Sequence, residues 1–283
     1  MDLLITGASG FLGREVAKQL VHGHRVIAFS RRKTPFGRSC IGDILSGDAL
    51  EKAMEGIEAV IHLAASSDSD PKMKHRVIVE GTKNVLASAK KAGVKKIVFM
   101  SSYAASKKAK DTTAKAKLLA EKMVSSSGMR YTILRPTLIY GEGGRLFESI
   151  QRMASWPIIP LLGGGNYLTG PVHVSDVASL AIDSLAKKHD GHLYTIVGDL
   201  IPYKELVVKI RSMKRKHGIL LPIPISLVFA LHSLFHAFRI IPFGRERIQR
   251  AVEGIRIDKH DFRPHFPRTL LDLDEGLRRS IRV

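Results

Sequence analysis

Three glycines at intervals of three, in Gly7-Ala8-Ser9-Gly10-Phe11-Leu12-Gly13, are the residues of this chain best suited to chemistry with a phosphate. A β-rich run, Asp2 to Thr6, precedes them, and an apolar-periodic stretch, Phe11 to Val21, follows. Strand, glycine loop and helix in that register make a phosphate cradle. The glycines allow the tight turn and let an anion approach backbone N–H groups at the positive end of the helix, and the last lets helix and strand pack closely. The ligand this predicts is the pyrophosphate of a dinucleotide, held by Gly7, Ser9, Gly10, Phe11, Leu12 and Gly13.

About 20 residues beyond such a loop, an acidic residue binds the ribose 2′-hydroxyl of NAD, whereas an Arg nearby accommodates the 2′-phosphate of NADP. This chain reads Phe29-Ser30-Arg31-Arg32-Lys33, with no acid and three cations. A guanidinium offers bidentate donors to phosphate oxygens. NADP(H) is therefore the expected cofactor, with Ser30, Arg31 and Arg32 at its adenosine end and NAD(H) as second choice. A solvated basic loop is the alternative, because the whole chain is basic.

The elements that must position this loop alternate. Strands are predicted at Asp2–Thr6, Arg25–Ser30, Ala59–Leu63, Lys96–Met100 and Tyr131–Leu134, and helices around Phe11–Val21, Ala49–Met54, Val77–Lys91 and Thr113–Ser125. That rhythm implies an α/β fold, a doubly wound parallel sheet of Rossmann type covered on both faces. After Pro136 the pattern loosens into Gly- and Pro-rich stretches. The expected organisation is a dinucleotide-binding domain over 1–160 and a smaller, mainly helical C-terminal lobe over 161–283. Two short strands, Val172–Val174 and Leu193–Val197, are expected to return to the main sheet within 172–198.

The chain has 283 residues, 45% of them hydrophobic and 25% charged, the balance of a folded globular protein. Its 45 Lys plus Arg against 26 Asp plus Glu leave a formal net charge of +19, which favours anionic partners. The cations are scattered and not interleaved with aromatics, so nucleic acid ranks below phosphorylated cofactors and acidic lipid headgroups. A single Cys40 excludes an intramolecular disulfide and fits a reducing cytoplasm, and the first residues lack a secretory pattern. Pro222, Pro224, His232 and His236 interrupt the apolar stretch from Ile219 to Phe238, so no membrane-spanning helix is expected there. On a helix beginning near Ile225, Leu227, Val228, Leu231, Leu234, Phe235 and Phe238 would form one apolar stripe behind a basic lead-in, Arg211 to His217. Such a stripe serves either as a lobe's core or as a contact with an anionic membrane, which would set a cytoplasmic protein against the inner membrane face.

Taken together, these motifs resemble the extended and atypical branches of the short-chain dehydrogenase/reductase superfamily, over roughly the first 200 residues. Gly7–Gly13 matches the family's cofactor loop, and Gly42-Asp43 its adenine-contacting Asp. His62-Leu63-Ala64-Ala65 matches the strand beneath the nicotinamide ribose, and Val94 to Ser102 the strand that ends in the catalytic serine. Arg135-Pro136 with Tyr140-Gly141 resembles the R-P-x-x-x-Y-G turn, and Val172-His173-Val174-Ser175-Asp176-Val177-Ala178 the V-H-V-x-D-V-A segment. The resemblance adds Asp43, Leu63, Ala64, Ala65, Lys117 and Pro136 to the cofactor-binding residues.

In that family Ser, Tyr and Lys work with a supporting Asn, and the Tyr, its pKa lowered by Lys, transfers a proton while hydride moves to or from the nicotinamide. Ser102 and Lys117 occupy two of these positions here. Thr113 stands where the Tyr belongs in Thr113-Ala114-Lys115-Ala116-Lys117, and Ile78 where the family usually has Asn. A Thr hydroxyl is shorter than a phenol and far less acidic than the phenol's pKa of about 10. Tyr103 follows Ser102 directly; adjacent strand residues point to opposite faces, so packing is its expected role. His62 has the chemistry of an acid or base, though such a His is more often a hydrogen-bonded structural residue. No metal site is expected. The pattern looks most like the atypical group that includes the NADPH-binding accessory subunit of respiratory complex I and its prokaryotic relatives. That likeness implies a cofactor-bound scaffold, assembly factor or redox sensor with a respiratory-complex or other protein partner. The alternative is a working oxidoreductase or sugar-nucleotide epimerase or dehydratase that has moved its proton donor.

Overall fold

Leu3, Leu4 and Ile5 are completely buried, as are Val60 and Ile61, and Ile97, Val98 and Phe99. Consecutive residues can be buried together in a strand only when both faces of the sheet are covered, which is the condition of a parallel sheet flanked by helices. The computed structural model describes residues 1–65, 70–105, 111–227, 253–255 and 260–281. In chain order it runs β1 (Asp2–Thr6), α1 (Phe11–Leu20), β2 (Arg25–Ser30), β3 (Arg38–Ile41), α2 (Gly47–Ala53), β4 (Ala59–His62), α3 (Pro71–Lys91), β5 (Lys96–Met100), α4 (Thr112–Ser125), β6 (Arg130–Pro136), β7 (Ile139–Tyr140), α5 (Arg145–Ala154), β8 (Ile158–Leu162), β9 (Leu168–Thr169), β10 (Val172–His173), α6 (Val174–Asp183), β11 (His192–Ile196), β12 (Ile201–Pro202), α7 (Tyr203–Met213), β13 (Ile219–Ile223) and a helix at Leu273–Ser280.

The chain divides into two compact units. The first comprises Met1–Pro136, Val174–Ile196 and Lys259–Arg268, and the second Thr137–His173, Val197–Asp258 and Thr269–Val283. Residues 137–160, placed above with the dinucleotide-binding domain, thus lie in the second unit. In the first unit seven strands pair in the order β11-β6-β5-β4-β1-β2-β3, all parallel. The order reverses between β1 and β4, and in open α/β sheets such a switch point opens a crevice beyond the carboxyl ends of the strands.

Helix starts follow their capping residues. Asp70 accepts a hydrogen bond from the amide of Lys72, with Pro71 at the first helical position, so α3 begins six residues before the expected Val77. The charged run Lys72, Lys74, His75 and Arg76 carries no apolar period and concealed that first stretch. Two further elements depart from expectation. The edge strand β3 has too few apolar residues to announce itself. The predicted strand Val172–Val174 is split: Val172 and His173 pair with β7 in the second unit, while Val174 opens α6 in the first. α6 packs on α1, where Gln19 donates to the Ser175 carbonyl at 3.1 Å and accepts from the Ser179 hydroxyl at 2.9 Å. The other predicted return, Leu193–Val197, does join the main sheet, as β11 beside β6.

Among its described residues the second unit contains three two-stranded sheets, β10-β7, β12-β9 and β13-β8. Its core gathers Phe147, Ile150, Ile159, Leu206, Ile210 and Leu277 from α5, β8, α7 and the helix Leu273–Ser280. Of the expected apolar stripe only Leu227, which is exposed, is described; Val228 to Phe238 lie outside the described residues. Among the described residues no helix is long and apolar enough to cross a membrane.

One buried charge braces the first unit. The Lys96 side chain on β5 is only 2% exposed, donates to the Thr132 hydroxyl at 2.8 Å and pairs with Asp190, which precedes β11. Burial pulls the Lys96 pKa down and the Asp190 carboxylate pushes it back. Removing one partner of a buried pair strands the other charge, so Asp190→Ala is expected to lower unfolding stability by about 3 kcal/mol. Urea titration at pH 7 measures this, and a loss no larger than for a surface substitution contradicts the brace.

Candidate functional site

The glycine loop lies at the switch point. Gly7, with φ +76°, donates its amide to the Phe29 carbonyl at 2.9 Å. A Cβ on Gly7 would fall 2.8 Å from Ala64 Cα, and one on Gly13 would fall 2.2 Å from the Gly7 carbonyl oxygen and 2.8 Å from Ala8 Cα. Neither position has room for a side chain, so strand end, loop and helix approach as closely as backbones can. At Gly10 a Cβ would meet only the Gly7 carbonyl, at 3.1 Å, so the middle glycine has open space beside it. Gly10 caps α1 without a side-chain hydrogen bond, and no acidic residue occupies the first turn. The first amides of a helix have no intrahelical acceptor, so Phe11, Leu12 and Gly13 present N–H groups and the positive end of the helix dipole with no local anion to consume them. Beside them, Leu63 and Ala64 follow β4 half-buried, Ala65 is exposed, and the Leu63 amide donates to the Thr6 carbonyl at 3.1 Å.

At the end of β2 the Ser30 hydroxyl is buried and donates to the Arg32 carbonyl at 2.7 Å. This serine shapes the turn, with its hydroxyl proton given to that carbonyl and its oxygen left as an acceptor. Arg31, Arg32 and Lys33 project from that turn as exposed side chains. Asp43 accepts from the Leu45 amide at 2.9 Å through its carboxylate, and its carbonyl takes the Ser46 amide, so it too is held in a turn.

Beyond β5 the chain leaves strand geometry. Ser101 and Ser102 follow the strand and Tyr103 lies in a turn, its amide donating to the Pro136 carbonyl at 3.0 Å. The expectation that Ser102 and Tyr103 take opposite faces of one strand therefore has no basis in the backbone. Ser102 is half-buried, and its Oγ accepts from the Ala104 amide at 3.3 Å. Lys117 on α4 is buried; Nζ donates to the Met100 carbonyl at 2.6 Å and lies 4.7 Å from the centre of the Phe99 ring. Burial pulls its pKa down to about 8, and the Glu121 carboxylate one turn on works in the opposite direction. Thr113, one turn before Lys117, is exposed, and Ile78 is packed in the core of the sheet's helical face.

Sequence reasoning assigned no role to three residues that hold this end together. Glu121 is buried, accepts from the Ser101 hydroxyl and forms a two-pronged pair with Arg135, at 2.8 Å from Nε and 2.5 Å from Nη2. The arrangement ties α4 to the ends of β5 and β6. Its signal was present in the four-residue spacing from Lys117 to Glu121, which sets both on one helix face.

His62 is saturated. Thr82 spends its hydroxyl proton on the Ile78 carbonyl at 2.5 Å, so it can only accept from His62 Nε2 at 3.0 Å, and Nδ1 must then accept from the Thr6 hydroxyl at 2.6 Å. Burial first, and then the nearby Lys117 ammonium, push its pKa down to about 3. A neutral, fully bonded imidazole at this position orients β4, β1 and α3 and is not poised to exchange protons near neutrality.

A parallel sheet with its switch point at an uncapped, glycine-lined helix N-terminus defines a Rossmann-type dinucleotide-binding unit. The chain belongs to the NAD dependent epimerase/dehydratase family, whose model matches residues 3–197. Pyridine-nucleotide dependence comes with that family. Among curated relatives it is 30% identical to photosystem II assembly factor Ycf39 of Synechocystis over 70% of this chain and 63% of that protein. It is 29% identical to N-acetyl-alpha-D-glucosaminyl-diphospho-ditrans,octacis-undecaprenol 4-epimerase of Escherichia coli O157:H7, over 59% and 58%. With the chloroplastic divinyl chlorophyllide a 8-vinyl-reductase of Arabidopsis thaliana it shares 26% over 86% and 64%. The chain thus spans about six-tenths of the length of these relatives. Among solved structures, a UDP-glucose 4-epimerase of Thermotoga maritima superposes with a TM-score of 0.79 at 20% identity, covering 99% of this chain and 97% of that one, a likeness of fold alone.

Because folding depresses the His62 pKa, the unfolded chain binds a proton at this site that the folded chain refuses. The stability involved is complete above about pH 6.5 and drains as pH falls toward about 3. His62→Gln should be less stable at neutral pH and should lose less on acidification than the parent. Parallel curves of unfolding free energy between pH 7 and pH 4 for the two proteins would count against the assignment.

Proposed function

We propose that this protein binds NADP(H) and acts with it as a scaffold, assembly factor or redox sensor without the family's usual proton transfer. The observation that carries this reading is the contrast between the two ends of one crevice. The phosphate end has the close-packed glycine loop and a helix start with no acidic residue, whereas the chemical end has an exposed Thr113 one helical turn from a buried Lys117. The amides of Phe11, Leu12 and Gly13 would hold the pyrophosphate where it passes over Gly10, whose own amide is given to the Gly7 carbonyl at 2.9 Å, the exposed Arg31 and Arg32 would hold the 2′-phosphate, and Asp43 the adenine side. Leu63, Ala64, Ala65 and Pro136 would line the nicotinamide end, with Ser9 at the loop. When bound, the cofactor supplies a hydride donor or acceptor. Lys117 would then serve the ribose hydroxyls as a donor already desolvated, and Ser102, two residues beyond β5, would offer a hydroxyl. An assembly role accords with the likeness to Ycf39.

A second reading, an active oxidoreductase or epimerase with a displaced donor, is favoured by the relatives named for those activities. The turn geometry at Tyr103 also supports it, since a phenol next to Ser102 is freed from strand alternation.

Cofactor selectivity follows from the arginines. Hydrogen bonds to charged groups contribute about 1.5–3 kcal/mol, so NADPH should bind about tenfold to a hundredfold more tightly than NADH. Arg31→Ala with Arg32→Ala should erase that preference while leaving NADH affinity nearly unchanged. Gly10→Val should abolish binding of both with the fold retained, because a branched side chain would enter the space a pyrophosphate needs. Calorimetry reads all three, and equal affinities in the parent protein overturn the NADP assignment.

Turnover separates the two readings. The parent protein should bind NADPH without oxidising it in the presence of ketone or sugar-nucleotide substrates, and Thr113→Tyr should restore a trace of activity. A positioned proton donor is worth about 10²- to 10⁴-fold. Robust turnover by the parent protein, abolished in Tyr103→Phe, establishes the displaced-donor enzyme instead.

A further inference from the structure

The second unit carries an apolar face that nothing among the described residues covers. In the parallel pair β8–β13, Ile158 registers with Ile219 and Pro160 with Leu221, so these four share one side of the ribbon, while Ile159 and Leu161 are buried on the other. Ile219 is 67% exposed, Ile158 54% and Leu221 47%; Trp156, the only tryptophan of the chain, is 52% exposed and lies two residues ahead of β8. Large apolar side chains clustered in this way mark an interaction surface, whereas isolated ones do not.

The charge beside this face identifies the partner. The two strands enter from the same end, because the Ile219 amide donates to the Pro157 carbonyl at 2.9 Å. At that end Lys214, Arg215, Lys216 and His217 lead into β13, with Arg215, Lys216 and His217 exposed. Arg211 is buried behind the same turn; Nε donates to the Lys216 carbonyl at 3.3 Å, and Nη1 and Nη2 have no hydrogen-bond partner among the described residues. No Asp or Glu occurs from Leu206 to Arg245 or from Ser149 to Ser175. Of the acids elsewhere in the unit, Asp274 is engaged by Lys209 at 2.8 Å. Exposed aliphatics, an exposed tryptophan and a cluster of cations that forms no ion pair among the described residues make a surface that is apolar where it would meet acyl chains and positive where it would meet headgroups.

We propose that the β8–β13 face, with Trp156 and the 214–217 turn, docks this protein on an anionic lipid bilayer. The inference goes beyond the cofactor reading and does not depend on it. The alternative occupants, a second copy of the chain or its own segment 228–252, are outcomes of the test.

The full chain is mixed with vesicles of phosphatidylcholine alone or with phosphatidylglycerol, and both sedimentation and Trp156 emission are followed. Binding to the anionic vesicles, a blue shift of the emission and reversal by salt are expected. Each basic residue near an anionic surface contributes about 1 kcal/mol, so Lys214→Gln with Lys216→Gln should weaken partitioning on the order of tenfold or more. Ile219→Ser with Leu221→Ser should remove the blue shift. Retained NADPH binding and far-UV dichroism certify the fold of these exposed-site variants. Failure to sediment with anionic vesicles overturns the proposal. So does binding that survives both double substitutions with unmoved emission, which would assign the contact to residues 228–252. A concentration-dependent dimer that Ile219→Ser with Leu221→Ser dissolves, without vesicle binding, makes a second copy the occupant.

Discussion

The first unit depends on a place where there is no room for a side chain. The carbonyl of Gly7 would be 2.2 Å from a Cβ on Gly13, and the backbone of Ala64 2.8 Å from one on Gly7. That contact welds the ends of β1 and β4 to the start of α1 and aims the helix's unpaired amides across the switch point. Everything else at the site is arranged around it. β2 brings its cationic turn to one side of the loop, and β5, α4 and β6 bring Lys117, Ser102 and Pro136 to the other. An anion-binding site built from backbone is fixed by packing and cannot be lost to a single rotamer change.

Buried charge fixes the remaining geometry. Glu121 with Arg135 and Ser101 anchors α4 next to Lys117, and Lys96 with Asp190 anchors the far edge of the sheet. Desolvation makes such pairs weak contributors to net stability, yet removing one member is costly, so they specify one arrangement more than they strengthen it. The depressed Lys117 pKa of about 8 is a by-product of the same packing: burial against the Met100 carbonyl and the Phe99 ring outweighs the opposing pull of the Glu121 carboxylate. His62 belongs to this framework too, as a neutral spacer between Thr6 and Thr82.

The sheet was legible wherever burial on both faces forced continuous apolar runs, as at Leu3-Leu4-Ile5 and Ile97-Val98-Phe99, and the loop was legible because glycine spacing reports backbone contact directly. β3 was not, since an edge strand reading Arg38-Ser39-Cys40-Ile41 needs no apolar period. Val172–Val174 was misread because a two-residue strand running straight into α6 has the composition of a longer strand. The bond from the Ser30 hydroxyl was hidden for a different reason: a two-residue turn bond depends on local backbone geometry, which residue type alone does not reveal. Glu121 could have been found from its spacing to Lys117, but its partner Arg135 lies on another element, and only the fold brings the two together.

The unpaired amides of Phe11, Leu12 and Gly13 at the start of α1 are the proposed seat of the dinucleotide's pyrophosphate. Backbone amide resonances of isotopically labelled protein, followed during NADPH addition, report on them one by one. Large saturable shifts are expected at Phe11, Leu12 and Gly13, with smaller ones at Arg31 and Arg32. Saturating NADPH that leaves the Phe11–Gly13 amides unmoved would overturn the assignment.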